Sequence, residues 1–179
     1  EPSDGKTWGV ALGGTNYDFG RAVAATNDSG VFVAGYTTSF AVGSDDMLVV
    51  KMAGNGTVEW RRTIGASKDD YGYAVAATDD GGAIVAGYTD SFGAGSNDML
   101  VVKLDGSGTV EWTQTVGGAG DDRGHAVAGT SDGGAIVAGH TTSFGAGNED
   151  MMVVKLAGNG NVEWTRTVGG TESDYAHAV

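Results

Sequence analysis

The sequence predicts an all-β fold built from repeated four-stranded antiparallel units. Three observations carry that expectation. The four tryptophans, Trp8, Trp60, Trp112 and Trp164, stand at equal intervals of 52 residues. The unit that starts at Trp60 matches the unit that starts at Trp112 at 34 of 52 positions without a gap. Thirty-three glycines against a single proline mark many tight turns between short strands. A fixed long period is the signature of repeat architecture, in which each unit leaves an apolar face that only its neighbour covers.

The elements of one unit follow in order. In the second unit, residues 74–78 (AVAAT) form a short, small-sided first strand, A. The turn DDGG at 79–82 follows, because glycine tolerates positive φ. Residues 83–89 (AIVAGYT) form strand B, and a longer loop runs over 90–98. Residues 99–104 (MLVVKL) form the β-branched strand C, and DGSG at 105–108 turns the chain again. Residues 110–116 (VEWTQTV) alternate apolar and polar side chains, the pattern of a half-exposed strand D. No segment carries a helical period with caps.

Two tight hairpins joined by a longer loop make a four-stranded meander of about 50 residues, the arrangement of a β-propeller blade. Strand A, rich in alanine, suits the crowded inner position, and the alternating tryptophan strand D suits the rim. The expected organisation is an N-terminal extension, 1–7, and a repeat array, 8–179, with units 8–59, 60–111 and 112–163 and a partial unit 164–179. Its strand order reads D-ABCD-ABCD-ABCD-A, an incomplete array that opens on a lone D segment at 8–12 and stops within an A segment at 178–179.

Gly-Gly-x-x-x-Asp, Ala-Val-Ala-x-Thr-x-Asp-Gly-Gly-x-Ile-Val-Ala-Gly-Tyr-Thr and Asp-Met-Leu-Val-Val-Lys-Leu recur through residues 8–179. These stretches resemble the β-propeller repeats of large bacterial and archaeal exported or surface proteins. The resemblance implies a propeller in an extracellular or cell-surface setting, with no shared catalytic activity. A closed propeller needs more blades than the strands present here. Two readings stay open: the array continues in a longer chain, or the ends meet those of other copies head to tail, a heterologous contact that builds open filaments when its rotation does not close.

Composition narrows the partners. A formal net charge of −13 argues against nucleic acid and against anionic membrane surfaces. The longest uncharged apolar runs, about seven residues, are too short to cross a bilayer. Cysteine is absent, which removes disulfides and thiolate metal sites. The chain opens on Glu1 rather than Met, as a processed or partial form does.

Candidate sites repeat with the units. Asp18, Asp70, Asp122 and Asp174 each follow a tryptophan by ten residues. Carboxylates on glycine-rich loops suit Ca²⁺, which takes six to eight oxygens; the same side chains also suit binding their own backbone amides to pin the turn. Phe40, Phe92 and Phe144, with Asp46, Asp98 and Asp150, are the candidate ligand contacts on the longer loops, for glycans in particular. Asn27 and Asn55 open Asn-x-Ser/Thr triplets and are candidate glycosylation sites. Lys51, Lys103 and Lys155 face Glu59, Glu111 and Glu163 across the C–D hairpin, where ion pairs are expected. His125 and His177 share a repeat position held elsewhere by Arg21 and Tyr73, and His140 replaces Tyr36 and Tyr88. No catalytic constellation emerges, and no cofactor beyond Ca²⁺ is implied. The expectation is a non-enzymatic extracellular structural or adhesion scaffold. The alternative is a lectin-like or calcium-assisted binding module with one weak site per blade, where avidity replaces strong single contacts.

Overall fold

The computed structural model describes residues 9–179. The described residues form twelve strands and no helix, so no helix here is long and apolar enough to cross a membrane. The strands are β1 (Asp18–Ala25), β2 (Val31–Thr37), β3 (Asp46–Met52), β4 (Val58–Ile64), β5 (Asp70–Ala77), β6 (Ala83–Thr89), β7 (Asp98–Leu104), β8 (Val110–Val116), β9 (Asp122–Gly129), β10 (Ala135–Thr141), β11 (Asp150–Leu156) and β12 (Val162–Val168). They make three antiparallel sheets in simple sequence order, β1-β2-β3-β4, β5-β6-β7-β8 and β9-β10-β11-β12.

Strands B and D of the second unit have the bounds expected from sequence, and C gains one residue at Asp98. Strand A starts four residues earlier than expected, at Asp70, because the ladder to β6 continues through Asp70↔Thr89, Tyr71↔Tyr88 and Gly72↔Gly87. A β-bulge interrupts that ladder. The register passes from Gly72 to Ala74, and likewise from Gly20 to Ala22 and from Gly124 to Ala126, so that Tyr73, Arg21 and His125 are left without a partner opposite. A bulge bends its strand and re-aims the extra side chain. The partner strand needs glycine there: a Cβ on Gly87 would lie 1.8 Å from the Tyr71 carbonyl oxygen, with Gly35 and Gly139 equally confined.

The sheets stack in chain order through the first strand of each. β5 packs on β1, β2 and β3, and β9 packs on β5, β6 and β7. Strand alternation divides each sheet into a face toward the preceding sheet and a face toward the next. Phe32, Ala34, Met47 and Val49 of the first sheet meet Val75, Ala83, Val85, Leu100, Val102 and Leu104 of the middle one. Ile84, Ala86, Met99 and Val101 of the middle sheet then meet Ala135, Val137, Met152, Val154 and Leu156 of the third. Each such side chain larger than alanine contributes about 1.5–3 kcal/mol on burial, so the two interfaces supply most of the cohesion. The indole of Trp60 reaches forward to donate to the Gly106 carbonyl at 2.9 Å, and Trp112 does the same to Gly158 at 3.0 Å.

Among the described residues, two outer faces have no sheet over them. On the first sheet Leu48, Val50 and Met52 gather with Val31, Val33, Phe40 and Leu12. On the third, Ala126 and Ala138 gather with Met151, Val153 and Ala176. The expected lone end strands are not formed: residues 9–12 and 174–179 adopt no strand, and Trp8 and the extension 1–7 lie outside the described residues. Neither segment has the rest of its sheet, and an isolated strand has no ladder to close its backbone hydrogen bonds. Leu12 and Ala176 still sit on the outer faces, where Ile64 and other residues of complete sheets sit within the stack.

Candidate functional site

The long B–C loop of one sheet and the D–A loop entering the next pack together at each junction. The backbone carries this contact: Asp70 N–H donates to the Asp45 carbonyl at 2.7 Å, Asp122 to Asn97 at 2.8 Å and Asp174 to Glu149 at 2.7 Å. Two predicted site residues therefore meet at each junction. Asp46 and Asp70 both approach Gly65, with carboxylate oxygens 2.3 and 2.7 Å from where its Cβ would stand. Asp98 and Asp122 converge on Gly117, at 2.1 and 2.7 Å, and Asp150 and Asp174 on Gly169, at 1.9 and 3.0 Å. Only glycine leaves both carboxylates room.

These carboxylates also pin their loops. Asp70 Oδ2 accepts from Ala66 N–H at 3.0 Å and from Ser91 Oγ at 2.7 Å. Asp122 accepts from Gly118 N–H at 2.9 Å, Ser143 Oγ at 2.5 Å and Thr141. Asp174 Oδ2 accepts from Gly170 N–H at 3.1 Å. Asp46, Asp98 and Asp150 each take one backbone N–H at 2.8 Å, from Val42, Ala94 and Ala146. Asp18 stands apart, approaching Gly13 with no second aspartate beside it among the described residues, and it accepts from Gly14 N–H, Thr37 and Ser39.

The electrostatics follow. Burial raises the Asp46 carboxyl above the usual range; the Val42 N–H opposes this, and Asp70 and Asp45 add to it. Burial likewise raises Asp98, with Asp122 adding. Burial also acts on Asp18, but its hydrogen bonds from Ser39, Thr37 and Gly14 prevail and hold it low. Among the described residues, no three His, Asp or Glu side chains gather to hold a metal ion by themselves.

The phenylalanines lie on the same loops without a common pocket. Phe40 packs under Arg61, whose guanidinium carbon is 3.9 Å from the ring centroid, and its ring lies against Gly14. Phe144 lies against Gly118. Phe92 and Phe144 remain 43% and 45% exposed, and Phe92 lines a shallow groove with Thr63, Ile64, Val110, Thr113 and Thr115. Asn27 and Asn55 sit exposed in the A–B and C–D turns of the first sheet.

At the opposite ends of the sheets, the lysines of strand C are buried. Lys103 Nζ stands 3.0 Å from Glu111, as expected from sequence, and 2.6 Å from Asp80. Lys155 lies 3.3 Å from Glu163 and 2.7 Å from Asp132, and Lys51 lies 4.0 Å from Glu59 and 2.9 Å from Asp28. The closer partner in each unit is the A–B turn aspartate, which sequence reasoning missed. Its Asp-Gly-Gly pattern reads as turn chemistry alone. Hydrogen bonds from Lys103 and Thr78 hold Asp80 down to about 2.

A second set that sequence reasoning missed is a ladder of rings along strands A and B. Phe19 stacks on Tyr36 at 4.8 Å, Tyr36 meets Tyr71 at 4.2 Å, and Tyr71 stacks on Tyr88 at 4.9 Å. Tyr73 then stacks on His125 at 5.6 Å, and His125 on His140 at 5.0 Å, with a ring-nitrogen contact of 2.8 Å. His177 and Tyr175 complete it. Arg21 lies over Tyr36, and Arg123 over Tyr88 at 4.4 Å. All three histidines of the chain thus meet at one end of a line that is tyrosine-rich at its middle. The signal was present: these positions vary between units only among aromatic, histidine and arginine side chains. Burial, then the neighbouring His140, His177 and Arg123, lower His125 to about 4, so its ring is neutral at pH 7, and burial lowers His140 as well.

Comparison with known proteins adds the following. No protein-family model and no curated protein matches this chain. Among solved structures, a protein of unknown function from Bacteroides caccae, with a crystal structure at 1.35 Å resolution, is similar at 15% sequence identity and a TM-score of 0.47. The match covers 85% of this chain and 47% of that one, so this chain spans about half that protein's length.

Proposed function

We propose that the three sheets are consecutive β-propeller blades of a non-enzymatic extracellular or cell-surface scaffold, structural or adhesive in role. In this reading further blades cover the two outer faces, supplied by a longer array or by another copy placed head to tail. One observation carries the reading. The outer face of the first sheet (Val31, Val33, Leu48, Val50) bears the same positions that the middle and third sheets present to the sheet before them. The outer face of the third sheet (Ala138, Met151, Val153) bears the positions that the earlier sheets present to the sheet after them. The two faces are therefore complementary by construction.

Light scattering and small-angle X-ray scattering over a concentration series test this. The expected result is concentration-dependent association that Val33→Glu or Val153→Glu abolishes while leaving the far-UV spectrum unchanged. A stable monomer at every concentration argues against association between copies and leaves only a longer array.

A second reading, a lectin-like module with one weak site per blade, draws support from the exposed rings of Phe92 and Phe144 on the loop side. A glycan array with and without Ca²⁺, comparing the unaltered chain with Phe92→Ala and Phe144→Ala, tests it. Absence of binding in both conditions removes it.

A further inference from the structure

We propose that a divalent cation of the hard, oxygen-seeking class, Ca²⁺ in the first instance, binds between the paired aspartates of the first junction, Asp46 and Asp70. This sharpens the calcium expectation into one defined pair and does not rest on the propeller reading, since the pair lies inside the three-sheet stack.

The geometry is that of a cradle short of positive charge. Asp46 is 1% exposed and Asp70 fully buried, yet Oδ1 of each has no hydrogen-bond partner. An unsatisfied buried carboxylate oxygen is costly, and a second carboxylate approaching the same glycine, Gly65, adds like-charge repulsion. The donors to these carboxylates serve the other oxygens: Val42 N–H on Asp46, Ala66 N–H and Ser91 Oγ on Asp70. The Thr89 hydroxyl stands opposite Asp70 in the strand ladder, so Asp46 Oδ1 is the oxygen left furthest from a donor. The strand C lysine, Lys51, is engaged at the far end of its sheet with Asp28. The compensating charge is therefore drawn from solution, and two carboxylates match a divalent ion.

The donor set is oxygen alone, which selects Ca²⁺ or Mg²⁺ over softer metals. Flexible glycine-rich loops favour Ca²⁺, whose coordination is less demanding. Two carboxylates are few, so carbonyl oxygens and water complete the shell, and the affinity belongs to the weak range of roughly 10⁻⁴–10⁻³ M. The repeat supplies its own controls. Asp18 has no second aspartate beside it among the described residues, Asp122 has both oxygens satisfied by Gly118, Thr141 and Ser143, and Asp174 is exposed, which leaves its pairing with Asp150 open to water.

Thermal unfolding at constant ionic strength, with CaCl₂ replacing NaCl, is the test. The expected result is a saturable rise in Tm. Asp46→Asn and Asp70→Asn each remove most of that rise, and Asp98→Asn and Asp18→Asn leave it unchanged. Tb³⁺ luminescence on the unaltered chain, displaced by Ca²⁺, gives the same answer should a variant fail to fold. The proposal is overturned by a Tm indifferent to Ca²⁺, by an equal response to NaCl, or by a response that survives the double variant. It is also overturned if acid alone stabilises the chain, because a shared proton then fills the cradle.

Discussion

The middle sheet and the two end sheets are written in nearly the same letters and live in different environments. Every residue of β6 and β7 is buried, whereas β2 and β11 each hold two half-buried residues; of the end-sheet strands B and C, β3 alone is buried throughout. Val85 is fully buried and its counterpart Val33 is not; Ile84 is fully buried and its counterpart Ile136 is not. The difference teaches that the unit is composed for burial on both faces, and that the neighbour decides whether that investment is realised.

The largest effect should separate the middle sheet from the third. Met99→Ala, between two sheets, is expected to cost about 2–5 kcal/mol in chemical denaturation. Met151→Ala, the same position on an outer face, is expected to cost under about 1 kcal/mol in the monomer. Equal losses would mean that the outer face is covered in solution.

Acid should sharpen the contrast between the tyrosine and histidine ends of the ladder. His125 has a folded-state value of about 4 against an ordinary 6.5, so the unfolded chain binds the proton first. Its contribution is fully present above pH 6.5 and falls away between 6.5 and about 4. Discounted for a half-exposed ring, the loss is about 1–2 kcal/mol. In His125→Tyr, which restores the residue of the preceding unit, the pH profile of Tm should flatten over that window. An unchanged slope would assign the titration to another group.

The smallest effect concerns the indoles. Trp112→Phe removes the bond to the Gly158 carbonyl and should cost about 0.5–1.5 kcal/mol. Trp164, 38% exposed on the last sheet, has no such contact within the stack, and Trp164→Phe should be close to neutral. A similar loss at both positions, measured by urea midpoints, would show that Trp164 has found a carbonyl in a further sheet.

Much of this architecture was legible in the sequence. The 52-residue period and the Gly-rich turns gave the four-stranded units, and strands B and D came out with their observed bounds. Strand A was cut short because Asp-Tyr-Gly-Tyr reads as loop, and a bulged register leaves no periodic trace. The Lys–Glu pairs could be read because their strands are joined by one hairpin. The closer Asp28, Asp80 and Asp132 partners come from a different hairpin, 23 residues away in sequence. The pairing of Asp46 with Asp70 was hidden for a related reason. Each aspartate was assigned to its own loop, and only stacking brings the two loops together.

Because each sheet carries one surface of each kind, adding or removing a whole unit leaves every junction chemically as it was. Duplication of the segment between two equivalent turns therefore changes the length of the stack without disturbing its fold. The shared 52-residue period favours such exchanges, so natural variants of this chain should differ by multiples of one period and rarely by fractions of it.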